Sequence, residues 1–197
     1  MSALDDAPQV LVEDRSQWRA WLEANHETAA GVWLVTWRAV SGHPVFGYDA
    51  AVEEAVCFGW VDSRAGRVDD FKMKLYFAPR KPRSAWSATN KARVERLLAA
   101  GSMAPAGLAT VERAKANGTW QHLNPVERLK IPADLEAALA ANPPAAENFA
   151  AFPRSTRRAI LEWIATARRP VTRTARVAET AKRAAEKERA NEWRPKA

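Results

Sequence analysis

The fold class is decided by residues 32–37, which read Val32-Trp33-Leu34-Val35-Thr36-Trp37. β-Branched and aromatic side chains fill this run, and an extended chain would be apolar on both of its faces. The run therefore predicts a central β-strand rather than an edge strand. Gly42 and Pro44 follow it and predict a turn.

Helices are predicted on both sides of this strand. Apolar residues recur at helical spacing over 16–25, and the hydroxyl of Ser16 is the expected N-cap. A shorter helix is predicted over 50–58, because Gly59 supplies the left-handed residue that commonly ends a helix.

Two further strands are predicted after the second helix. Residues 60–63 are rich in strand-forming side chains, and residues 72–77 alternate between polar and apolar before Pro79 ends the ladder. From about residue 80 onward the pattern is helical. The sequence thus predicts an α+β fold, with a small mixed or antiparallel sheet and packed helices in the N-terminal half and an all-helical C-terminal part.

Charge is distributed unevenly along the 197 residues. Residues 1–63 hold 3 basic and 10 acidic residues, whereas residues 64–96 hold 10 basic and 3 acidic and residues 154–197 hold 13 basic and 5 acidic. The two basic blocks would attract a polyanion of any kind, so charge alone does not choose between nucleic acid, anionic lipid and acidic protein.

Cysteine content and hydropathy limit the compartment. The single Cys57 excludes an intramolecular disulfide and a multi-cysteine metal site. No stretch has the length and apolarity of a membrane span, and the first residues lack the pattern of a signal peptide. We therefore expect a soluble, cytoplasmic protein; its oligomeric state is not predicted.

Two motifs resemble the signature of the bacterial YdeI/OmdA family. They read Tyr48-Asp49-Ala50-Ala51-Val52-Glu53-Glu54-Ala55-Val56-Cys57-Phe58-Gly59-Trp60-Val61-Asp62-Ser63-Arg64 and Phe77-Ala78-Pro79-Arg80-Lys81-Pro82-Arg83-Ser84-Ala85-Trp86-Ser87-Ala88-Thr89-Asn90. Further similar stretches occur at 101–107, 118–120, 155–159 and 163–170, so the resemblance extends over nearly the whole chain.

The resemblance implies a domain organisation and a biological context. Residues 1–125 would form a YdeI-like α+β domain with a helical extension, and residues 130–197 a helical OmdA-like segment with a basic tail. The family is also described as bacteriocin-protection or OmpD-associated, so the resemblance implies a link to stress and to tolerance of antimicrobial peptides. It implies no established reaction.

The main candidate site is a dense group of polar and indole side chains at predicted strand ends. Carboxylate, guanidinium, hydroxyl and indole groups together suit a small anionic ligand or the tail of a protein partner. The candidate ligand-binding residues are Trp60, Asp62, Ser63, Arg64, Arg80, Lys81, Ser84, Trp86, Ser87 and Asn90. The alternative is structural: ion pairs of Asp62, helix caps at Ser87 and Asn90, and a core position for Trp86.

An enzyme is a second hypothesis, in which Asp62 or Cys57 acts in a basic pocket. Cys57 is nevertheless expected at a helix C-terminus, where the helix dipole disfavours a thiolate, so a buried and inert thiol is the alternative. His26, His43 and His122 show no metal-ligand spacing. No catalytic residue, metal or cofactor is therefore identified, and a binding function is preferred to an enzymatic one.

A third hypothesis concerns the basic C-terminal helix, which would bind nucleic acid or another polyanion. Its candidate contact residues are Arg168, Arg169, Arg173, Arg176, Lys182 and Arg183. No nucleic-acid-binding motif accompanies them, so a solvated, ion-paired helix face is the alternative.

Overall fold

The computed structural model describes residues 6–192 of the chain. Within this range nine α-helices accompany one four-stranded sheet, which confirms the predicted α+β class. The chain divides after Trp120 into two compact units. We call the described residues 6–120 the N-terminal unit and 121–192 the C-terminal unit.

The N-terminal unit contains the sheet and four α-helices. Its elements are β1 (Gln9–Leu11), α1 (Arg15–Asn25), β2 (Val32–Trp37), α2 (Tyr48–Cys57), β3 (Trp60–Arg67), β4 (Lys72–Pro79), α3 (Ala88–Ala99) and α4 (Pro105–Ala116), with a short 3₁₀ turn at Ala39–Ser41.

The sheet is mixed, with strand order β1-β2-β4-β3. The first two strands are parallel and the other pairs are antiparallel. β2 is central, as the apolar run predicted. β1 was not predicted from the sequence, because three residues are too few to show an alternation. A β-bulge between Asp62 and Arg64 interrupts the pairing of β3 with β4 and leaves Ser63 without a partner residue.

α1 begins one residue earlier than predicted, and its N-cap is a different residue. Asp14 is the N-cap, since its Oδ1 accepts a hydrogen bond from the backbone N–H of Gln17 at 2.9 Å. Ser16 lies inside the helix and donates its hydroxyl proton to Asp14 at 2.6 Å. The prediction of Ser16 as the cap was therefore wrong, and a carboxylate serves in place of its hydroxyl.

α2 is the central helix of this unit. It contacts α1, α3, α4 and β3, and it is buried on most of its surface, as expected of a helix surrounded by partners. α4 approaches its C-terminal end very closely at Gly107, where an added Cβ would lie 2.1 Å from the carbonyl oxygen of Cys57. Gly59 follows α2 with a φ of 74°, as predicted for the residue that ends the helix.

The C-terminal unit is all-helical. Its elements are α5 (Asn124–Glu127), α6 (Ala133–Ala140), α7 (Ala145–Ala151), α8 (Arg154–Ala165) and α9 (Pro170–Ala185). Pro170 begins α9, where its missing N–H group is tolerated.

α9 packs against three other helices of its unit. It contacts α6, α7 and α8, and its buried side chains are small, namely Val177, Thr180, Ala181 and Ala184. Asn148 of α7 donates a hydrogen bond to the carbonyl of Ala184 at 2.9 Å. Across residues 6–192, no helix combines the length and the apolar character needed to cross a membrane.

Candidate functional site

A cavity of about 270 Å³ opens in the N-terminal unit between the end of α1, the turn from α2 to β3, the end of β4 and α4. Its walls are largely apolar, and four of its lining side chains are charged or imidazole groups. The lining residues are His26, Glu27, Phe58, Gly59, Trp60, Pro79, Arg80, Ala106, Ala109, Thr110 and Arg113.

Arg80 is the unusual member of this lining. It directly follows β4, where its backbone N–H donates to the carbonyl of Gly59 at 2.9 Å. Its side chain is only 7% exposed, and its guanidinium lies 3.9 Å from the centre of the Trp86 ring. One terminal nitrogen, Nη2, donates to the carbonyl oxygen of Ala85. The other two nitrogens, Nε and Nη1, are sealed from solvent and have no hydrogen-bond partner among the described residues.

The charge of Arg80 is not neutralised by an ion pair. Within residues 6–192, no carboxylate lies within salt-bridge distance of its guanidinium. Burial lowers the pKa of Arg80 to about 10, and the more distant carboxylate of Asp62 opposes this shift only in part. A buried cation with unpaired donors is energetically unfavourable, so it requires an explanation.

A second cationic group lies on the same cavity wall. Arg113 of α4 is exposed, and its Nη2 donates to the hydroxyl oxygen of Thr110 at 3.2 Å. That hydroxyl in turn donates to the carbonyl of Ala106 at 2.9 Å. The cavity therefore has one buried guanidinium, from the residue that follows β4, and one exposed guanidinium, from α4.

A neighbouring cavity of about 430 Å³ shares part of this lining. The shared residues are His26, Glu27, Phe58, Ala106 and Ala109. Glu23 of α1 lines the second cavity and not the first. His26 is fixed between the two, because its ring Nδ1 lies 2.9 Å from the carbonyl of Leu22 and its ring packs 5.1 Å from that of Phe58. The backbone carbonyl of His26 accepts a hydrogen bond from Trp60 Nε1 at 3.2 Å.

Two of the ten predicted ligand-binding residues, Trp60 and Arg80, line this cavity. Trp60 is nonetheless fully buried, and Trp86 is a core residue 2% exposed that contacts Trp120 at 5.0 Å between ring centres. Asp62 accepts a hydrogen bond from the Tyr48 hydroxyl at 2.9 Å.

The remaining predicted residues have other places in the unit. Ser87 caps α3 by accepting from the backbone N–H of Asn90 at 3.3 Å, and Asn90 accepts from Arg93 at 2.9 Å. Ser87 thus has the capping role of the structural alternative, whereas the Asn90 side chain contacts Arg93 and does not cap the helix. Ser84 is half-buried in the turn after β4, and its N–H donates to the carbonyl of Lys81. The exposed predicted residues outside the cavity lining are Ser63, Arg64 and Lys81.

Sequence reasoning did not identify four polar residues of the cavity: His26, Glu27, Thr110 and Arg113. They lie far from Arg80 in sequence, on α4 and just after α1, and no short motif contains them. Helix periodicity indicates that these segments are helices. It does not indicate that their ends meet beside Gly59.

Cys57 has the features of an inert thiol. It is fully buried, and burial together with the nearby Glu54 carboxylate raises its pKa to about 11. A thiol with so high a pKa is scarcely ionised at neutral pH and is a poor nucleophile. Glu54, in the same region, is 3% exposed and pairs with Arg15 and Arg19. Within residues 6–192, no cluster of metal-ligating side chains is found.

Half of the six predicted polyanion-binding residues already have partners inside the C-terminal unit. Arg173 pairs with Asp134 at 2.7 Å, and Arg176 lies over the Trp163 ring at 4.9 Å from its centre. Arg183 pairs with Glu188. The exposed members of the set are Arg168, Arg169 and Lys182.

Comparison with known proteins identifies two families along the chain. Residues 10–110, just over half of the chain, match the family described as "Domain of unknown function (DUF8412)". Residues 128–187 match the family described as "Bacteriocin-protection, YdeI or OmpD-Associated". A search of curated proteins gives no match, and neither does a search of solved structures.

The predicted YdeI/OmdA resemblance is therefore confirmed over residues 128–187. The motifs between residues 48 and 90, on which that prediction relied, lie within the other match. The chain belongs to the DUF8412 family through its N-terminal unit, and it carries a segment of the bacteriocin-protection, YdeI or OmpD-associated type in its C-terminal unit.

Proposed function

We propose that the N-terminal unit is a binding module for a small anion, which occupies the cavity beside Arg80. The observation that carries this proposal is the buried guanidinium with two unpaired N–H donors and no carboxylate partner among the described residues. A bound carboxylate or phosphate would supply the missing counter-charge and the missing acceptors. Arg113, at the same cavity, would add a second cationic contact.

The geometry also defines how the ligand reaches Arg80. Because Nε and Nη1 are sealed from solvent, the anion contacts them only after a small displacement of the side chains that cover them. The Trp86 ring holds the other face of the guanidinium at 3.9 Å, so Arg80 itself has little freedom to move toward the solvent. The ligand therefore meets a cation that is already in place.

The volume of the cavity limits the size of the ligand. Pockets for drug-sized molecules enclose roughly 300–1,000 Å³, and this cavity of about 270 Å³ lies just below that range. A mononucleotide or an oligosaccharide would exceed it. A small carboxylic acid or a single phosphate group on a short carbon chain would fit.

The biological context of this binding is proposed from the family description of the C-terminal match. We propose that the protein acts in the bacterial cytoplasm, and that the bound anion connects it to bacteriocin protection and stress tolerance. An enzymatic role through Cys57 has less support, because the thiol is buried and its pKa is raised to about 11.

The proposal is tested by a thermal-shift screen of the full chain with acetate, isocaproate, inorganic phosphate and sulfate. A ligand present at 100 times its Kd stabilises a protein by about 2.7 kcal/mol, which is readily measured. The variants are Arg80→Met, which keeps the side-chain length without the charge, and Arg64→Met, which removes an exposed arginine outside the cavity.

We expect at least one anion to raise the melting temperature of the wild type and of Arg64→Met, and to leave Arg80→Met unchanged. If no anion stabilises the wild type, or if all three proteins respond equally, the cavity is not an anion site and the proposal is wrong.

A further inference from the structure

The Arg80 cavity has a second, opposite electrostatic pole. Arg80 and Arg113 form a cationic side, whereas Glu27 lies on the wall contributed by the end of α1. Glu23, one helical turn before Glu27, extends this acidic side into the neighbouring cavity. A site designed only for an anion would gain nothing from carboxylates on its wall, since they repel the ligand.

The end of α1 strengthens this acidic pole. The last turn of a helix carries a partial negative charge, which is commonly balanced by a basic side chain. α1 has no basic residue in its last turn. Glu23 does have a partner, Arg19 at 3.2 Å, but the Glu27 side chain is 82% exposed and its nearest cationic candidate is the His26 ring at 3.8 Å. A ligand ammonium group placed here would meet both the helix dipole and Glu27.

Apolar side chains line the cavity beside the charged groups. Phe58 and Trp60 contribute aromatic faces, and Ala106 and Ala109 of α4 contribute methyl groups that leave room beside them. The two cavities share Phe58, Ala106 and Ala109, so this apolar surface continues from one cavity into the other. It suits an aliphatic side chain of moderate length.

We infer that the ligand is a zwitterion of amino-acid size, with its carboxylate toward Arg80, its ammonium toward Glu27 and an aliphatic side chain on the surface formed by Phe58, Ala106 and Ala109. This inference rests on the proposed function, because it assigns the same cavity to a ligand class. It adds a cationic end that an anion site alone does not require.

The test uses three compounds that share one carbon skeleton. Leucine carries both charged groups, isocaproate lacks the ammonium and isopentylamine lacks the carboxylate. Each is titrated into the full chain by isothermal calorimetry, and each titration is repeated at raised salt. The variants are Arg80→Met and Glu27→Gln, with Glu95→Gln as a matched control, because Glu95 is exposed on α3 and lines neither cavity.

We expect leucine to bind more tightly than isocaproate by up to about 5-fold, which is the upper value for a solvent-exposed ion pair. Glu27→Gln removes this preference, because leucine loses its ammonium contact and isocaproate is no longer repelled by the carboxylate. Glu95→Gln leaves both affinities unchanged. Arg80→Met abolishes the binding of leucine and isocaproate alike.

The possible failures are distinguishable. If isocaproate binds as tightly as leucine, and does so through Arg80, the zwitterion inference is overturned while the anion site stands. If leucine retains its advantage in Glu27→Gln, the ammonium is not held by this carboxylate and the inference is again overturned. If neither compound binds the wild type, or both bind Arg80→Met equally well, the proposed function itself fails.

Discussion

Arg80 of the N-terminal unit differs from the carboxylate-paired arginines of the C-terminal unit. In the C-terminal unit Arg158 forms a two-bond contact with Glu127, with nitrogen–oxygen distances of 2.8 Å and 3.0 Å, and Arg173 forms a similar contact with Asp134. In the N-terminal unit Arg80 is more deeply buried than either, yet no carboxylate among the described residues pairs with it. A guanidinium with its own carboxylate stabilises the fold, whereas one without a carboxylate is available to a ligand.

The largest effect is expected from removing the ring that holds Arg80. Trp86→Ala should lower the free energy of unfolding of the N-terminal unit by about 3–5 kcal/mol, because a fully buried indole leaves a cavity. Trp163→Ala is the matched control, since Trp163 also carries an arginine over its ring but is only half-buried. We expect it to lose less than about 2 kcal/mol. Hydrogen exchange followed unit by unit measures both, and a larger loss for Trp163→Ala would contradict the comparison.

A smaller effect distinguishes the two kinds of arginine directly. Arg158→Met should destabilise the C-terminal unit by about 1–2 kcal/mol, because the guanidinium that contacts Glu127 and Glu162 is removed. Arg80→Met should leave the stability of the ligand-free N-terminal unit unchanged or raise it by up to about 1 kcal/mol, since it removes an uncompensated buried charge. Urea denaturation of each variant checks this pair. A strong destabilisation by Arg80→Met would assign Arg80 a structural role instead.

Acid pH should affect the paired arginines and not the unpaired one. The hydrogen bond from Arg173 holds the pKa of Asp134 below its usual 3.8. Because this pKa is lowered in the folded state, the pair stabilises the fold above pH 3.8 and its contribution is lost as the pH falls below that value. The contribution should stay below about 1 kcal/mol, because both side chains are partly exposed.

Asp134→Asn should therefore make the free energy of unfolding of the C-terminal unit depend less on pH between pH 4 and pH 2. Arg80→Met should leave the pH dependence of the free energy of unfolding of the N-terminal unit unchanged in acid. Denaturant midpoints measured at each pH give both profiles. An unchanged profile for Asp134→Asn would show that the ion pair has no net effect on stability.

The smallest effect is expected for the polyanion hypothesis. Replacing Arg173, Arg176 and Arg183 by Gln should change the affinity for single-stranded DNA by less than about 2-fold, because these groups are engaged within the unit. Replacing the exposed set of Arg168, Arg169 and Lys182 should reduce the salt dependence if DNA binds, since each lost phosphate contact lowers the slope by about 0.7 for a single strand. Equal effects of the two triple variants would remove the distinction between paired and exposed residues.

The strands at 32–37 and 72–77 were predictable because their side-chain patterns are local. β1 was not, since three residues carry no pattern of their own and depend on pairing with β2. Ser16 and Asp14 are both acceptable caps by residue type, and only the backbone geometry selects Asp14. In each case the missing information is a contact formed in three dimensions.

Part of the candidate site was likewise predictable from the sequence, and part of it was not. Arg80 was named from the sequence because guanidinium groups suit anions, but the sequence contains no signal of its burial against Trp86 or of its missing carboxylate. The burial of Glu54 was not predictable for a related reason, because it depends on Arg15 and Arg19 from another helix. Residue type can be read along the chain, whereas the pairing of charges depends on tertiary packing.

The contact at Gly107 also determines how the ligand preference of this scaffold can be altered. No side chain can be added at Gly107 while α4 keeps its place against α2, because the new Cβ would collide with the carbonyl of Cys57. The neighbouring alanines at 106 and 109 line the cavity, and each already carries a Cβ. Side-chain size at these two positions is therefore an independent control on ligand length, which a protein engineer could vary while the charged ends of the site and the packing of the helix stay fixed.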